Sequence, residues 1–186
     1  MTPIFKTGSR NDVTNYRGIA ILSAIAKLFE LLIYRNMYEE LRGLISENQH
    51  GYVKGRSCVS NLLEYTSFIL KTMEDGLQVD SIYTDFSKAF DKVRHQLLLI
   101  KMALAVPPSE CGLLRSYFSG RTQRVRIGSC VSKEIKVTSG VPQGSHLGPL
   151  CFIWFVNDIA QIFKYVRVLF YADDMKLYLP VGCPQD

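Results

Sequence analysis

Apolar residues recur at helical spacing in two early stretches of the chain. Behind Ser23, the residues Ile25, Leu28, Phe29, Leu32, Ile33, Met37, Leu41 and Leu44 form one stripe, with Ser23 placed as an N-cap and Gly43 at the fraying end. A second helix is predicted from about Ser57 to Met73, with Val59, Leu62, Leu63, Ile69, Leu70 and Met73 facing inward. The polar, glycine-containing run QHGYVKGRS separates them, and Asp75-Gly76 marks a turn. The pattern then changes. SIYTDF at 81–86 reads as a strand, KAFDKVRHQLLLIKMAL as a helix ended by Pro107-Pro108, and a short helix carries Leu113, Leu114, Tyr117 and Phe118 up to Gly120. RVRIG and EIKVTS alternate in the strand manner around Gly128-Ser129, which predicts a hairpin with Arg124 and Arg126 on one basic face. The loop SGVPQGS precedes an apolar helix, LGPLCFIWFVNDIAQIF. VRVLFY and MKLYL then flank Ala172-Asp173-Asp174 as a second hairpin with two carboxylates at its tip. Helices first, then helices mixed with antiparallel hairpins, argue an α+β fold.

Composition narrows the classes. The 186 residues suit one domain or one compact piece of a larger one. With 47% apolar and 21% charged residues, the chain is neither disordered nor collagen-like. No apolar run reaches the roughly 18 residues of a membrane helix, and the N-terminus MTPIFKTGSR has no apolar signal core. Lys and Arg number 22 against 17 Asp and Glu, a net charge of +5 that leans mildly toward a polyanionic partner. Cys58, Cys111, Cys130, Cys151 and Cys183 are scattered and never paired at metal-ligand spacing, which reads as reduced, idle thiols of an intracellular protein. His50, His95 and His146 are equally isolated, so no zinc site is expected.

The chemistry concentrates in carboxylates. Two adjacent aspartates between apolar strands repel one another unless a cation neutralises them. Asp85 ends a third apolar strand, and if that strand lies beside the 168–179 hairpin, three carboxylates converge. Hard oxygen ligands with net negative charge suit Mg²⁺ that also binds substrate phosphates. Taken alone, Asp173-Asp174 equally fits an ordinary acidic turn.

The pair does not stand alone. YADD at 171–174 resembles the catalytic box of reverse transcriptases, and TDFSKAFDKV at 84–93 resembles their first palm motif in its non-LTR (LINE-type) form. SGVPQGSHLGPLCFIWFVNDI at 139–159 is similar to the motif between them. YRGIAILSAIAKLFE at 16–30 and QHGYVKGRSCVSNLLEY at 49–65 resemble two finger motifs, in a form like that of jockey-type insect elements. All run in the family's order across residues 16 to 179. Gly18, Ala26 and Cys58 depart from the usual proline, proline and threonine, but none removes a catalytic group.

The resemblance implies fingers and palm of a right-hand polymerase, with an antiparallel palm sheet packed on helices and no thumb. Fingers would take 1–79 and 114–139, palm 80–113 and 140–186, and the chain reads as a fragment cut after the YADD motif. It implies RNA-directed DNA synthesis for retrotransposon replication: dNTPs added to a DNA primer on an RNA template, with two Mg²⁺ ions and Mn²⁺ as a substitute. Asp85, Asp173 and Asp174 would be catalytic and hold metal, with the carbonyl of Phe86. Phe90 would exclude a ribose 2′-OH, or else be an ordinary buried helix residue. Gln143 and Gly144 would line the nucleotide pocket, with Gly140 also letting the backbone approach substrate. Arg17, Lys54 and Arg56 would meet the triphosphate and template backbone, Lys54 being equally plain surface charge, and Arg124 and Arg126 would touch nucleic-acid phosphates. Asp91 is given no metal. The resemblance implies no membrane and no obligate protein partner, a nuclear site at target-primed synthesis and a cytoplasmic ribonucleoprotein otherwise. Two rivals stay open: a catalytically inactive remnant that binds nucleic acid weakly, and a two-metal nuclease, for which no general-base His stands near the motifs.

Overall fold

In a computed structural model, residues 1–182 are described; Cys183 and the end of the palm segment lie outside them. An N-terminal hairpin, β1 (Thr2–Phe5) and β2 (Tyr16–Ile19), closes through Lys6 N–H donating to Asn15 O at 2.8 Å. The sequence pattern misses this hairpin, because its strands are four residues each and the long segment 6–15 separates them. Helix α1 (Ala24–Leu41) starts where predicted: the Ser23 side chain accepts from Ala26 N–H. Helix α2 (Cys58–Glu74) begins with a reciprocal capping box between Ser57 and Ser60.

The sheet that positions the site is antiparallel and three-stranded, β3 (Gln78–Asp85), β9 (Asp174–Val181) and β8 (Arg167–Tyr171), with β9 in the centre. Along the free edge of β8 runs a short parallel segment: Phe170 N–H donates to Asn48 O at 2.8 Å and His50 N–H to Phe170 O at 2.9 Å. The main core lies between helices. Met37 and Leu41 of α1 meet Leu98 and Met102 of α3 (His95–Ala103), Leu114 and Phe118 of α4 (Pro108–Phe118), and α5 (Leu147–Phe155), which is buried along most of its length. A helix apolar on all sides belongs at the centre of such a core.

The structure departs from the pattern in several places. Helix α2 turns Asn61, Tyr65, Phe68 and Thr72 to the sheet, and leaves Val59, Leu62, Leu63, Leu70 and Met73 exposed. The inner row is polar and aromatic because it meets strand groups that need partners. Asn61 Nδ2 donates to Phe170 O, Tyr65 Oη bonds Ser81 Oγ, and both aromatic rings pack edge-on against Tyr178. The first half of the α1 stripe, including Ile25, Leu28, Phe29 and Leu32, is likewise exposed. The predicted helix from Lys88 is interrupted: Lys88 has φ of 55°, a 3-10 turn covers Ala89–Lys92, and α3 begins only at His95. The hairpin predicted over 124–139 is two short ladders, β4 (Thr122–Gln123) with β7 (Ile135–Lys136) and β5 (Arg126–Ile127) with β6 (Cys130–Val131), the latter around Gly128-Ser129. Among the described residues, the four cysteines are free, and no helix is long and apolar enough to cross a membrane.

Candidate active site

The β3–β9 register sets Asp85 directly opposite Asp174 at one end of the sheet. Strands β8 and β9 join through a two-residue turn, Ala172-Asp173, so Asp173 stands at the same end. Phe86 N–H reaches Asp173 O at 3.4 Å and ties the turn to the end of β3. All three aspartates line one open cavity of about 450 Å³. Partial burial and then the charges of Asp173 and Asp85 hold the Asp174 carboxyl above its ordinary value. Among the described residues, no ion pair engages any of the three.

The rest of the cavity is assembled by backbone hydrogen bonds from distant segments. Phe90 is stacked on Phe152 at 4.7 Å between ring centres and meets the Tyr52 ring edge-on at 6.2 Å. Its carbonyl accepts from Val141 N–H at 2.8 Å, and Gly140 N–H donates to Val93 O at 2.8 Å, so the 139–145 loop is docked on the turn that carries Phe90. Gly140 has φ of 87°, and a Cβ there would stand 2.8 Å from Asp91 O, so only glycine lets the two segments meet. Gln143 O in turn accepts from Ala20 N–H at 2.8 Å, which brings the N-terminal hairpin and Arg17 to the cavity.

The sequence-predicted residues therefore divide. Asp85, Phe86, Phe90, Gln143, Gly144, Arg17, Asp173 and Asp174 all line the one cavity. Lys54 does not: its exposed side chain lines an adjoining cavity that shares Tyr52 as a wall. Nor does Arg56, whose Nη1 donates to Ser46 O and Gln49 O at 2.7 Å each; its guanidinium holds its own loop together rather than facing the carboxylates. Arg124 is ion-paired to Glu134 across the β4–β7 ladder, and Arg126 Nε donates to Gly128 O in its own turn. Both lie away from the carboxylate cavity, although Arg124 lines a groove that adjoins it through Pro142 and Gln143.

Three cavity residues escape the sequence reading. Lys6 and Lys88 add positive charge beside Arg17, and Tyr52 forms a wall, with φ of 59° and a phenol raised above its usual range by burial and then by the Asp173 charge. Lys88 and Tyr52 lie inside the quoted motifs and were findable there; nothing in the sequence singles out Lys6.

The donor set suits a hard divalent cation: three uncompensated carboxylates beside three cationic side chains, the arrangement that holds a metal–polyphosphate complex. Among the described residues, no three His, Cys, Asp or Glu side chains are already gathered as a preformed metal cage. The carboxylates fit an ion that arrives with further oxygen ligands of its own, rather than an all-protein site.

The scaffold is α+β, and its antiparallel sheet presents the three carboxylates at one end, on the wall of the cavity. The family described as "Reverse transcriptase (RNA-dependent DNA polymerase)" matches residues 4–181, and the chain belongs to it. It is 33% identical over 98% of its length to the probable RNA-directed DNA polymerase from transposon X-element of Drosophila melanogaster, covering 21% of that protein. It is 32% identical over 91% of its length to the probable RNA-directed DNA polymerase from transposon BS of the same fly, covering 20% of it. The RNA-directed DNA polymerase from mobile element jockey of Drosophila funebris is 30% identical over 97% of the chain and is covered over 21% of its own length. The chain spans about a fifth of the length of each of these relatives. Among solved structures, a telomerase from Candida tropicalis truncated from its C-terminal domain aligns over 83% of this chain and 34% of that one, at 12% identity and a TM-score of 0.49.

Proposed function

We propose that this chain is the nucleotide-adding part of an RNA-directed DNA polymerase that serves retrotransposon replication. On this reading the fingers comprise 1–79 and 114–139 and the palm 80–113 and 140–186. The primer 3′-oxygen attacks the α-phosphorus of a dNTP, the bond to the β-phosphate oxygen breaks, and pyrophosphate leaves. Asp85, Asp173 and Asp174, with the Phe86 carbonyl, would hold two Mg²⁺ ions. When bound, such ions supply the Lewis acidity that lowers the 3′-hydroxyl pKa and neutralises the leaving group. Arg17, Lys6 and Lys88 would receive the triphosphate oxygens. Phe90, backed by Phe152, is too bulky and too well packed to yield to a ribose 2′-OH, which selects deoxynucleotides by exclusion. Gln143 and Gly144 would form the floor under the nucleotide. Partners on this reading are an RNA template and a DNA primer, with work in the nucleus at target-primed synthesis and a cytoplasmic ribonucleoprotein otherwise.

The observation that carries the proposal is the convergence on one cavity of the three carboxylates, Phe90, Gln143 and the cationic side chains. The test is primer extension on an RNA template with dNTPs and Mg²⁺ or Mn²⁺, beside Asp173→Asn. Extension that disappears in the variant supports the assignment. Extension that persists in Asp173→Asn refutes it, and a folded chain that binds primer–template without extending it is the inactive remnant.

A further inference from the structure

The turn that carries the carboxylates has an unusual residue in it. Ala172 is the first residue of a two-residue hairpin turn and has φ of 57°. That position in such a turn favours glycine, because a Cβ crowds the following carbonyl. A left-handed alanine persists only where its surroundings hold it.

The holding group comes from 123 positions away in the chain. Gln49 is 3% exposed, and its Oε1 accepts from Ala172 N–H at 3.0 Å and from Gly51 N–H at 2.8 Å. Its Nε2 points back to Ala172 O at 3.4 Å. One amide side chain thus engages both backbone groups of the strained residue, which needs an acceptor and a donor together. The segment is itself pinned. Its backbone bonds Phe170 on both sides, Arg56 clamps Ser46 O and Gln49 O, and at Gly51 a Cβ would stand 2.2 Å from Ala172 N.

We propose that Gln49 is a positioning residue for the catalytic turn: by fixing Ala172 in its left-handed conformation it sets where the Asp173 and Asp174 carboxylates stand relative to Asp85. The proposal rests on the polymerase reading for the meaning of those carboxylates, and not for the geometry. It also gives Arg56 a role, that of holding Gln49 in place.

The experiment compares the chain with Gln49→Met, which keeps length and loses every side-chain hydrogen bond of Gln49, and with the double variant Gln49→Met/Ala172→Gly. Glycine adopts the positive φ unaided, so the double variant removes the need for the brace. Three quantities are read: hydrogen exchange at the Ala172 amide, Mn²⁺ affinity by electron paramagnetic resonance, and kcat against KM for dNTP. In Gln49→Met, Ala172 protection falls about tenfold or more, Mn²⁺ binds about tenfold more weakly, and kcat drops by a similar factor while KM for dNTP changes less than about twofold, the range of outer partners of metal ligands. The double variant recovers most of the Mn²⁺ affinity. Where Gln49→Met does not fold, Gln49→Glu replaces it: it keeps the two acceptor bonds, and it retains the amide protection if the proposal holds. Gln49→Met with lowered thermal stability but wild-type Ala172 exchange, Mn²⁺ affinity and kcat overturns the proposal, as does a double variant that recovers nothing. A wild-type chain that extends no primer defeats the polymerase reading alone, since the exchange and Mn²⁺ measurements need no turnover.

Discussion

Glu30 is a buried carboxylate whose replacement has a magnitude that the structure fixes. It is 3% exposed in the middle of α1 and joins three elements. Tyr117 Oη of α4 donates to its Oε1 at 2.6 Å, and His146 N–H, at the start of α5, donates to its Oε2 at 2.9 Å. The second bond satisfies one of the free N–H groups that open a helix, where negative charge is also favoured. Glu30→Leu is close in size and opens little cavity, so its cost is that of two part-buried donors that lose their acceptor, about 1–3 kcal/mol each. Glu30→Gln keeps an oxygen for His146 N–H and offers Nε2 to the Tyr117 oxygen. It loses only the charge assistance, about 1 kcal/mol. At this chain length each kcal/mol moves Tm by about 2–4 °C, so Glu30→Gln falls by a few degrees and Glu30→Leu by about 4–24 °C. Thermal melts of both variants, with Glu30→Leu/Tyr117→Phe beside them, check the ordering. The double variant removes the orphaned phenol and recovers about 1–3 kcal/mol. Equal losses in Leu and Gln, or a double variant that adds its losses instead of recovering them, would refute the reasoning.

Three further outcomes follow from the same geometry. His50 is buried with Nδ1 2.8 Å from Ser60 Oγ, and burial holds its pKa below 6.5, against the opposing pull of Glu64. The unfolded state therefore binds the proton first, stability is full above the ordinary histidine pKa and falls as pH is lowered through it, and His50→Gln flattens that slope in urea titrations between about pH 5 and 7. Asp174→Asn relieves a like-charge contact and raises Tm in metal-free buffer by up to about 3 °C, the scale of a partly exposed charge interaction; it also abolishes the Tm rise that Mg²⁺ gives the wild type, and a lowered metal-free Tm contradicts the repulsion. Phe90→Val opens the wall opposite Tyr52 and raises ribonucleotide incorporation relative to dNTP by about 10–200-fold in extension assays, the usual worth of a pocket contact; an unchanged ratio removes Phe90 from the selection.

What the sequence discloses is local. Ser23 as an N-cap, the β8–β9 hairpin and the Asp173-Asp174 tip are all decided by a few neighbouring residues, and all three are where the pattern places them. The convergence of Asp85 with that tip was conditional on strand order, and the β3–β9 register meets the condition. What the pattern cannot carry is which side of a stripe is covered. The exposed Val59, Leu62 and Leu63 of α2 have the spacing of a core face, but the sheet face beneath the helix presents polar groups and the ring of Tyr178, and selects the Asn61–Tyr65–Phe68–Thr72 row instead. Arg56 fails for a related reason: a guanidinium in a polar loop has the same appearance whether it faces phosphate or its own carbonyls. The break at Lys88 arises from docking with Gly140, some fifty residues on.

The way the site is joined explains how such remote segments hold one geometry. Its links are main-chain hydrogen bonds between elements: Ala20 N–H to Gln143 O, Val141 N–H to Phe90 O, Gly140 N–H to Val93 O, Phe86 N–H to Asp173 O and His50 N–H to Phe170 O. Backbone groups are present whatever the side chain, so this framework does not depend on side-chain identity at those positions. Side-chain identity then matters at two kinds of position. One is where backbones touch, as at Gly51 and Gly140, where a single added carbon would separate the segments. The other is where the backbone adopts a conformation it does not favour, as at Ala172, which one buried amide engages through both its N–H and its carbonyl. The like-charged aspartates stand at one end of the sheet, and the β3–β9 register, the β8–β9 turn and the Phe86–Asp173 backbone bond keep them near one another against their own repulsion. On the proposed reading a cation held there would relieve the repulsion without moving the scaffold, and metal would stabilise the folded chain most strongly with all three carboxylates present.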